Sequence, residues 1–276
     1  MSRLAILLLA CVLSACGYPP THQTPDSPTI PARIVSLDYC ADQYVLKFAD
    51  KDHILAVSPD ATKDFSFMRE AAGAVPTVRP IAEDVLLLKP DLVVRSYGGG
   101  PGATHFFEQA GIPVLDVGWA PDLPAVLTNT QRIADGLGQH ARGATLVAET
   151  QTRLDALSEN PEKKTALYMT PAGVTTGPGS LVHEMIVAAG LRNFQAEPGW
   201  RSLPLERLAY EQPDVIAAAF FGTLTNHPDA WSPMKHPIAR AQLGSHTTVP
   251  LEGAWTSCNG WFLIEGIEAL AEGAGG

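Results

Sequence analysis

The sequence predicts an α/β protein of two lobes, each built on a parallel sheet, joined by a single long helix with a ligand cleft between them. Three observations predict it. Short apolar runs alternate with helical stretches from residue 33 onward, the alternation is interrupted by a purely helical stretch at about 121–160, and it then restarts. An internal echo marks the repeat: Leu88-Lys-Pro-Asp-Leu-Val-Val94 and Glu211-Gln-Pro-Asp-Val-Ile-Ala217 each read as a helix end, a proline and a strand start. Strands that alternate with helices imply parallel sheets covered on both faces.

Taken in order, the runs at 33–37 and 54–58 read as buried strands, with apolar residues at helical spacing over 41–49 between them. A helix over 83–88 closes at Lys89-Pro90, and a strand follows at 91–95. The helix at 105–110 ends at Gly111 before a strand at 112–117. Residues 123–137 and 139–160 read as two helices, the second about 30 Å long at 1.5 Å per residue. The second round gives a strand at 165–169, a helix at 181–189, a segment at 205–211, strands at 214–220 and 247–250, and a last helix over 259–271. The expected division is an N-terminal lobe over 33–137, a linker helix over 138–160 and a C-terminal lobe over 161–276.

Residues 1–16 (MSRLAILLLACVLSAC) have the charged, apolar and small-residue regions of an export signal. Their end, Leu13-Ser14-Ala15-Cys16, resembles the bacterial lipobox, which implies lipidation of Cys16. Residues 17–32 hold five prolines and little apolar content, as an extended tether should. Elsewhere no apolar run reaches the roughly 20 residues of a spanning helix, so the membrane is reached through the lipid alone. With 19 Lys and Arg against 29 Asp and Glu, the net charge of −10 argues against nucleic acid as a partner.

Ligands of open α/β sheets bind beyond the carboxyl ends of the strands, and those positions are aromatic here. Tyr39 follows the first strand and Phe65 lies beyond the second. Tyr97 and Trp119 follow the next two. In the second half Trp200 and Arg201 precede Leu205, Phe221 closes a strand and Trp255 follows the last. All five tryptophans lie in or near connections, where core packing would place them inside elements. A rigid aromatic lining with scattered polar groups suits a large, flat, partly apolar ligand.

Catalytic residues are expected to be absent. Gly177-Pro-Gly-Ser180 lacks the second glycine of a nucleophile elbow, and His183-Glu184 lacks the second histidine of a helical zinc site. Gly98-Gly-Gly-Pro-Gly102 lacks the lysine and hydroxyl of a phosphate loop, so its glycines read as close backbone approach to a ligand or a tight turn. No metal site or resident cofactor is expected.

The order of Arg33-Ile-Val-Ser-Leu37, Lys89-Pro-Asp-Leu-Val93 with Tyr97-Gly-Gly99, the long middle helix, Trp200 six residues before Glu206, and Pro250-Leu251 with Trp255 resembles the periplasmic binding proteins of ABC importers for cobalamin and iron chelates. The resemblance covers essentially all of 33–271. It implies two Rossmann-like lobes on a rigid helix, capture of a cobalamin-like chelate or ferric siderophore in the periplasm, and delivery to a permease by a monomer without catalysis. Trp200 and Trp255 match aromatic cleft positions of cobalamin-binding members. The acid and arginine that can flank the second of these tryptophans are replaced by Ala254 and Cys258, which leaves the ligand open. Only Arg95 and Arg201 are expected near the mouth, too few cations for a carboxylate-rich chelate. The family docks its permease through one surface glutamate per lobe, and Glu70 and Glu197 are the candidates here. Alternative readings are a metal-dependent enzyme on the same scaffold and a protein-binding envelope lipoprotein.

Cys40 and Cys258 follow the first strand of one lobe and the last strand of the other. On this fold both point toward the cleft, as a disulfide bracing the lobes, as soft ligands to a bound metal, or as two unrelated thiols.

Overall fold

In a computed structural model, which describes residues 30–157, 164–219 and 232–275, the first round of elements is β1 (Ile34–Ser36), α1 (Tyr39–Phe48), β2 (Ile54–Ala56), α2 (Arg69–Ala72), α3 (Ala82–Leu87), β3 (Leu92–Arg95), α4 (Ala103–Gln109) and β4 (Val114–Asp116). Two longer helices follow, α5 (Leu123–Gly136) and α6 (His140–Asp155). The second round is β5 (Thr165–Met169), β6 (Val174–Thr176), α7 (Leu181–Ala188), β7 (Arg192–Asn193), β8 (Trp200–Ser202), α8 (Leu205–Leu208), β9 (Val215–Ala219), α9 (Pro237–Ser245), β10 (Thr247–Leu251), α10 (Gly253–Thr256) and α11 (Leu263–Gly273). Among the described residues no helix is long and apolar enough to cross a membrane. Cys16 and Phe221 lie outside the described residues, as do the signal and most of the tether.

The two lobes repeat one topology. Strand order is β2-β1-β3-β4 in the first sheet and β7-β5-β9-β10 in the second, and every pairing in both is parallel. The central strands are buried at every position, β3 as LVVR and β9 as VIAAA, because helices cover both faces. Alternate residues serve alternate faces. Val93 meets Val85 of α3 and Phe107 of α4, while Leu92 and Val94 face the core shared with α1 and α5. In β9, Ile216 and Ala218 pack toward α8 and α9, and Val215, Ala217 and Ala219 toward α7 and α11.

The connection between the lobes is a helical hairpin. Asp122 caps α5 by accepting the Ala125 amide at 2.8 Å, and Pro124 sits in the first turn, where its missing N–H costs nothing. Val126 of α5 joins the C-terminal core, whereas Ile133, Ala134 and Leu137 join the N-terminal one. Helix α6 runs back, with Leu146 in the N-terminal core and Leu154 against the C-terminal core. Gly143 allows the helices to close up, since a Cβ there would lie 2.5 Å from the Ala134 methyl. The stretch expected as one long brace is thus α6, with α5 spanning both lobes beside it.

Residues expected to begin the last helix do something else. Helix α11 starts at Leu263, and Cys258, Trp261 and Phe262 sit in the core of the opposite lobe. Trp261 packs edge-on to Tyr44 at 5.2 Å, Phe262 stacks on Phe67 at 4.8 Å, and the Tyr44 hydroxyl donates to the Asn259 carbonyl at 2.8 Å. This corrects the placement of all five tryptophans at ligand-facing connections: Trp261 is 5% exposed and belongs to the core. Cys40 and Cys258 form a disulfide beside this plug, with Cα atoms 5.5 Å apart. That outcome removes both alternatives, since bridged sulfurs are neither free thiols nor metal ligands.

Candidate functional site

The rim of the N-terminal lobe is organised by one carboxylate. Asp38 follows β1, caps α1 and is buried. Its Oδ1 accepts the Ala41 amide at 3.0 Å, and its Oδ2 accepts the amides of Ser96, Tyr97 and Gly98 at 2.7, 3.0 and 2.8 Å. The loop after β3 is therefore wrapped around an anion supplied by the loop after β1. Arg95 ties the same loop down from within. Its guanidinium donates to the carbonyls of Gly98 and Gly100 and to the Thr104 hydroxyl.

Gly98 is required because a Cβ there would fall 2.4 Å from the Leu37 carbonyl oxygen. At Gly98 the close approach is thus to the chain just beyond β1. Arg95 is 7% exposed and fully engaged, which corrects its expected place as a cation at the cleft mouth. What the loop presents outward is Tyr97, 53% exposed.

Tyr97 is one of three grouped rings. Tyr39 packs edge-on to Phe65 at 4.9 Å and to Tyr97 at 5.9 Å. Gln43 holds the loop carrying Phe65: its amide nitrogen donates to Ser66 Oγ at 2.9 Å, and its oxygen accepts the Met68 amide at 2.6 Å. Asp42 anchors the start of that loop by accepting the Ser58 amide at 3.1 Å and hydroxyl at 2.6 Å.

Burial raises the Asp42 carboxyl to about 6, the Ser36 and Ser58 donors restrain the rise, and nearby Asp38 adds to it. A folded-state value above the unfolded one means that the folded chain keeps a proton which the unfolded chain loses first. The Asp42 contribution therefore favours folding below about pH 4 and is lost as pH rises to about 6. Urea titrations should show Asp42→Asn gaining about 2–3 kcal/mol relative to the parent between pH 4 and pH 7, at about 1.4 kcal/mol per unit. A pH-independent difference would contradict this role.

Trp119 stands beyond β4 and is 73% exposed, with its carbonyl held by the Asn129 side chain at 3.3 Å. Across the cleft, β6 and β8 form an antiparallel pair that the sequence did not signal. Trp200 of β8 is 60% exposed and lies edge-on to Tyr168 at 6.0 Å. Arg201 pairs with Glu197 at 3.2 Å and donates to the Pro198 carbonyl, which leaves its charge already countered. Trp255, on α10, is half-buried against the C-terminal core. Burial pushes the Tyr39, Tyr97 and Tyr168 hydroxyls up from the usual phenol value, and Asp38 and Asp60 add to the rise at Tyr39 and Tyr97. These phenols stay protonated at neutral pH, and the Tyr39 hydroxyl acts as a hydrogen-bond donor.

The rims meet directly. The Tyr39 hydroxyl donates to the Ser257 carbonyl at 3.4 Å, and Arg69 of α2 pairs with Glu252 at 3.7 Å. A groove of about 390 Å³ crosses from one lobe to the other, lined by Phe67, Arg69 and Glu70 on one side and Glu252 and Trp255 on the other. A second hollow of about 400 Å³, between α1 and α6, contains none of the rim aromatics and lies on the hairpin side. Among the described residues no group of three His, Cys, Asp or Glu is placed to hold a metal ion. What the rims offer is aromatic area and phenolic donors, the chemistry of capture.

A family model described as periplasmic binding protein matches residues 34–221. The chain belongs to the periplasmic binding protein family. Members are substrate-binding components of ABC transporters and not enzymes, and the family places this binding protein in the periplasm.

Solved structures share the fold. The periplasmic haem-binding protein HutB of Vibrio cholerae superposes with a TM-score of 0.71 at 20% identity, covering 87% of this chain and 97% of that one. The periplasmic haem-binding protein RhuT of Roseiflexus sp. RS-1 gives 0.66 at 23%, covering 88% and 98%. The vitamin B12 binding protein BtuF of Vibrio cholerae gives 0.60 at 19%, covering 89% and 97%. No curated protein matches the sequence significantly.

Of the two expected docking acids, Glu70 is exposed on α2 at the edge of the groove and Glu197 is the partner of Arg201. The internal repeat relates a second pair of exposed glutamates. Glu83 and Glu206 each lie seven residues before the proline that leads into a central strand, Pro90 before β3 and Pro213 before β9. Both are exposed, and neither forms an ion pair among the described residues. The internal echo at those prolines marks them as equivalent positions of the two lobes.

Proposed function

We propose that the binding protein captures a metal chelate, cobalamin-like or a ferric siderophore, between its two aromatic rims and delivers it to an ABC permease. The observation that carries this reading is the set of exposed rings Tyr97, Trp119 and Trp200, drawn from both lobes and set beyond the ends of the parallel strands. Exposed aromatic area of this kind pairs with a broad, partly apolar ligand. The engagement of Arg95 and Arg201 by their own loops favours chelates with little negative charge. Structural neighbours named for haem and vitamin B12 add support for flat macrocyclic chelates within this class. Tyr39, Phe65, Trp255 and Phe221 complete the proposed lining. Anchoring through lipid on Cys16 and action as a monomer belong to the same proposal. Permease contact would run through one glutamate per lobe, either Glu70 and Glu197 or the repeat-related Glu83 and Glu206.

Tryptophan fluorescence of the processed protein, titrated with aquacobalamin, haem and a panel of ferric siderophores, tests the reading. Saturable quenching at micromolar or lower concentration by one class is the expected result. Flat titrations with every chelate, in a protein that melts cooperatively, would refute it.

A further inference from the structure

The three rings grouped on the N-terminal rim stand among carboxylates. Tyr39 lies edge-on to Phe65 at 4.9 Å and to Tyr97 at 5.9 Å; Tyr97 is exposed and the other two are half-buried. Asp38 immediately precedes Tyr39 and accepts the Tyr97 amide at 3.0 Å. Asp42 lies one helical turn beyond Tyr39 on α1 and accepts the Ser58 hydroxyl at 2.6 Å. Asp60 donates its amide to the same Ser58 oxygen at 3.3 Å, and its own side chain is exposed and forms no ion pair among the described residues.

The cations of this region are already committed. Loop carbonyls hold Arg95, Glu252 faces Arg69 at 3.7 Å, Glu197 faces Arg201 at 3.2 Å, and Lys63 is followed at once by Asp64. The phenols register the sign of what is left: burial is the largest cause of the raised Tyr39 and Tyr97 values, and the charges of Asp38 and Asp60 add to it.

Aromatic area alone serves a neutral chelate as well as a charged one. Rings with carboxylates behind them do not, because the negative ring face and the carboxylate field both attract a cation and both repel an anion. A half-buried setting screens that field less than open water does. We infer that the cluster of Tyr39, Phe65 and Tyr97 is a cation-recognising subsite, and that the captured chelate has a net positive charge or a cationic group seated against these rings with Asp60 as its counter-ion. This inference rests on the capture reading and adds the sign of the ligand's charge to it.

The test is calorimetric titration of the processed protein with two iron porphyrins of the same ring, one bearing N-methylpyridinium groups and the other sulfonatophenyl groups. The cationic porphyrin should bind at least about tenfold more tightly at low salt. Asp60→Asn should weaken it about threefold, as should Tyr97→Leu, which keeps apolar area but removes the ring. Neither change should weaken the anionic porphyrin, and Tyr97→Phe should behave as the parent. Glu149→Gln removes an exposed acid of α6 on the hairpin side and should change neither titration, which controls for the general attraction of a chain with net charge −10. Equal affinities, a preference for the anionic porphyrin, no binding of either, or equal effects of Asp60→Asn and Glu149→Gln would overturn the inference. Its failure is distinguishable from failure of the capture reading: tight binding of the anionic porphyrin, or saturable quenching by an uncharged chelate, removes the charge preference and leaves capture intact.

Discussion

Replacing Cys40 or Cys258 with serine is expected to lower the folding free energy by about 2–4 kcal/mol and the melting temperature by about 4–16 °C. The bridge joins positions 218 residues apart, so without it the unfolded chain regains the freedom of a very long loop. It also ties the end of β1 in one lobe to the segment after α10 in the other, where Tyr39 and Ser257 meet. The lobes should nonetheless stay docked in the variant, because Phe67, Trp261 and Phe262 still interlock in one core. Chelate binding is therefore expected to survive at low temperature while thermal stability drops. Thiol titration of the unfolded protein provides the chemical check: reductant should expose two further thiols, and a count unchanged by reductant would remove the bridge.

Asp38→Ala should be as damaging, at about 3–5 kcal/mol. The carboxylate accepts four backbone amides, three of them from the loop that carries Tyr97. Truncation leaves those buried donors without an acceptor, each costing about 1–3 kcal/mol before relaxation or entry of water, and it removes a helix cap worth about 1 kcal/mol. Asp38→Asn keeps the shape but turns a donor toward donors, so it should recover only part of the loss. Because the loop also positions Tyr97, chelate affinity should fall about tenfold even where the variant is folded. Urea unfolding and chelate titration read the two effects separately. An alanine variant within about 1 kcal/mol of the parent would contradict the role given to this carboxylate.

Much of this architecture is legible in the sequence because its strands are locally declared. The runs that become β1, β3, β5 and β9 are mostly apolar, and Pro90-Asp91 and Pro213-Asp214 mark where two of them begin. Positions beyond those strands correctly locate Tyr39, Tyr97 and Cys40, and the same logic brings Cys258 within bonding distance of Cys40.

Elements whose reasons lie elsewhere in the chain are harder to read. Trp261 sits beside Gly260 between two helices, which looks like a connection, yet its packing partners Tyr44, Phe48 and Phe67 lie about two hundred residues away. Arg95 ends a strand and looks like a ligand-facing cation; that glycine carbonyls of its own loop would accept its protons is not encoded in any local pattern. Strand β8 is only Trp-Arg-Ser, exposed at each position, and offers no apolar run to mark it.

The central claim, that one chelate is held between both rims, is tested most directly by calorimetric titration of the quenching chelate into three proteins: the parent, Tyr97→Ala and Trp200→Ala. The account predicts one chelate per chain and an affinity loss of about tenfold or more from either substitution, one on each lobe. Full affinity retained in both variants, or a loss confined to one lobe, would contradict it.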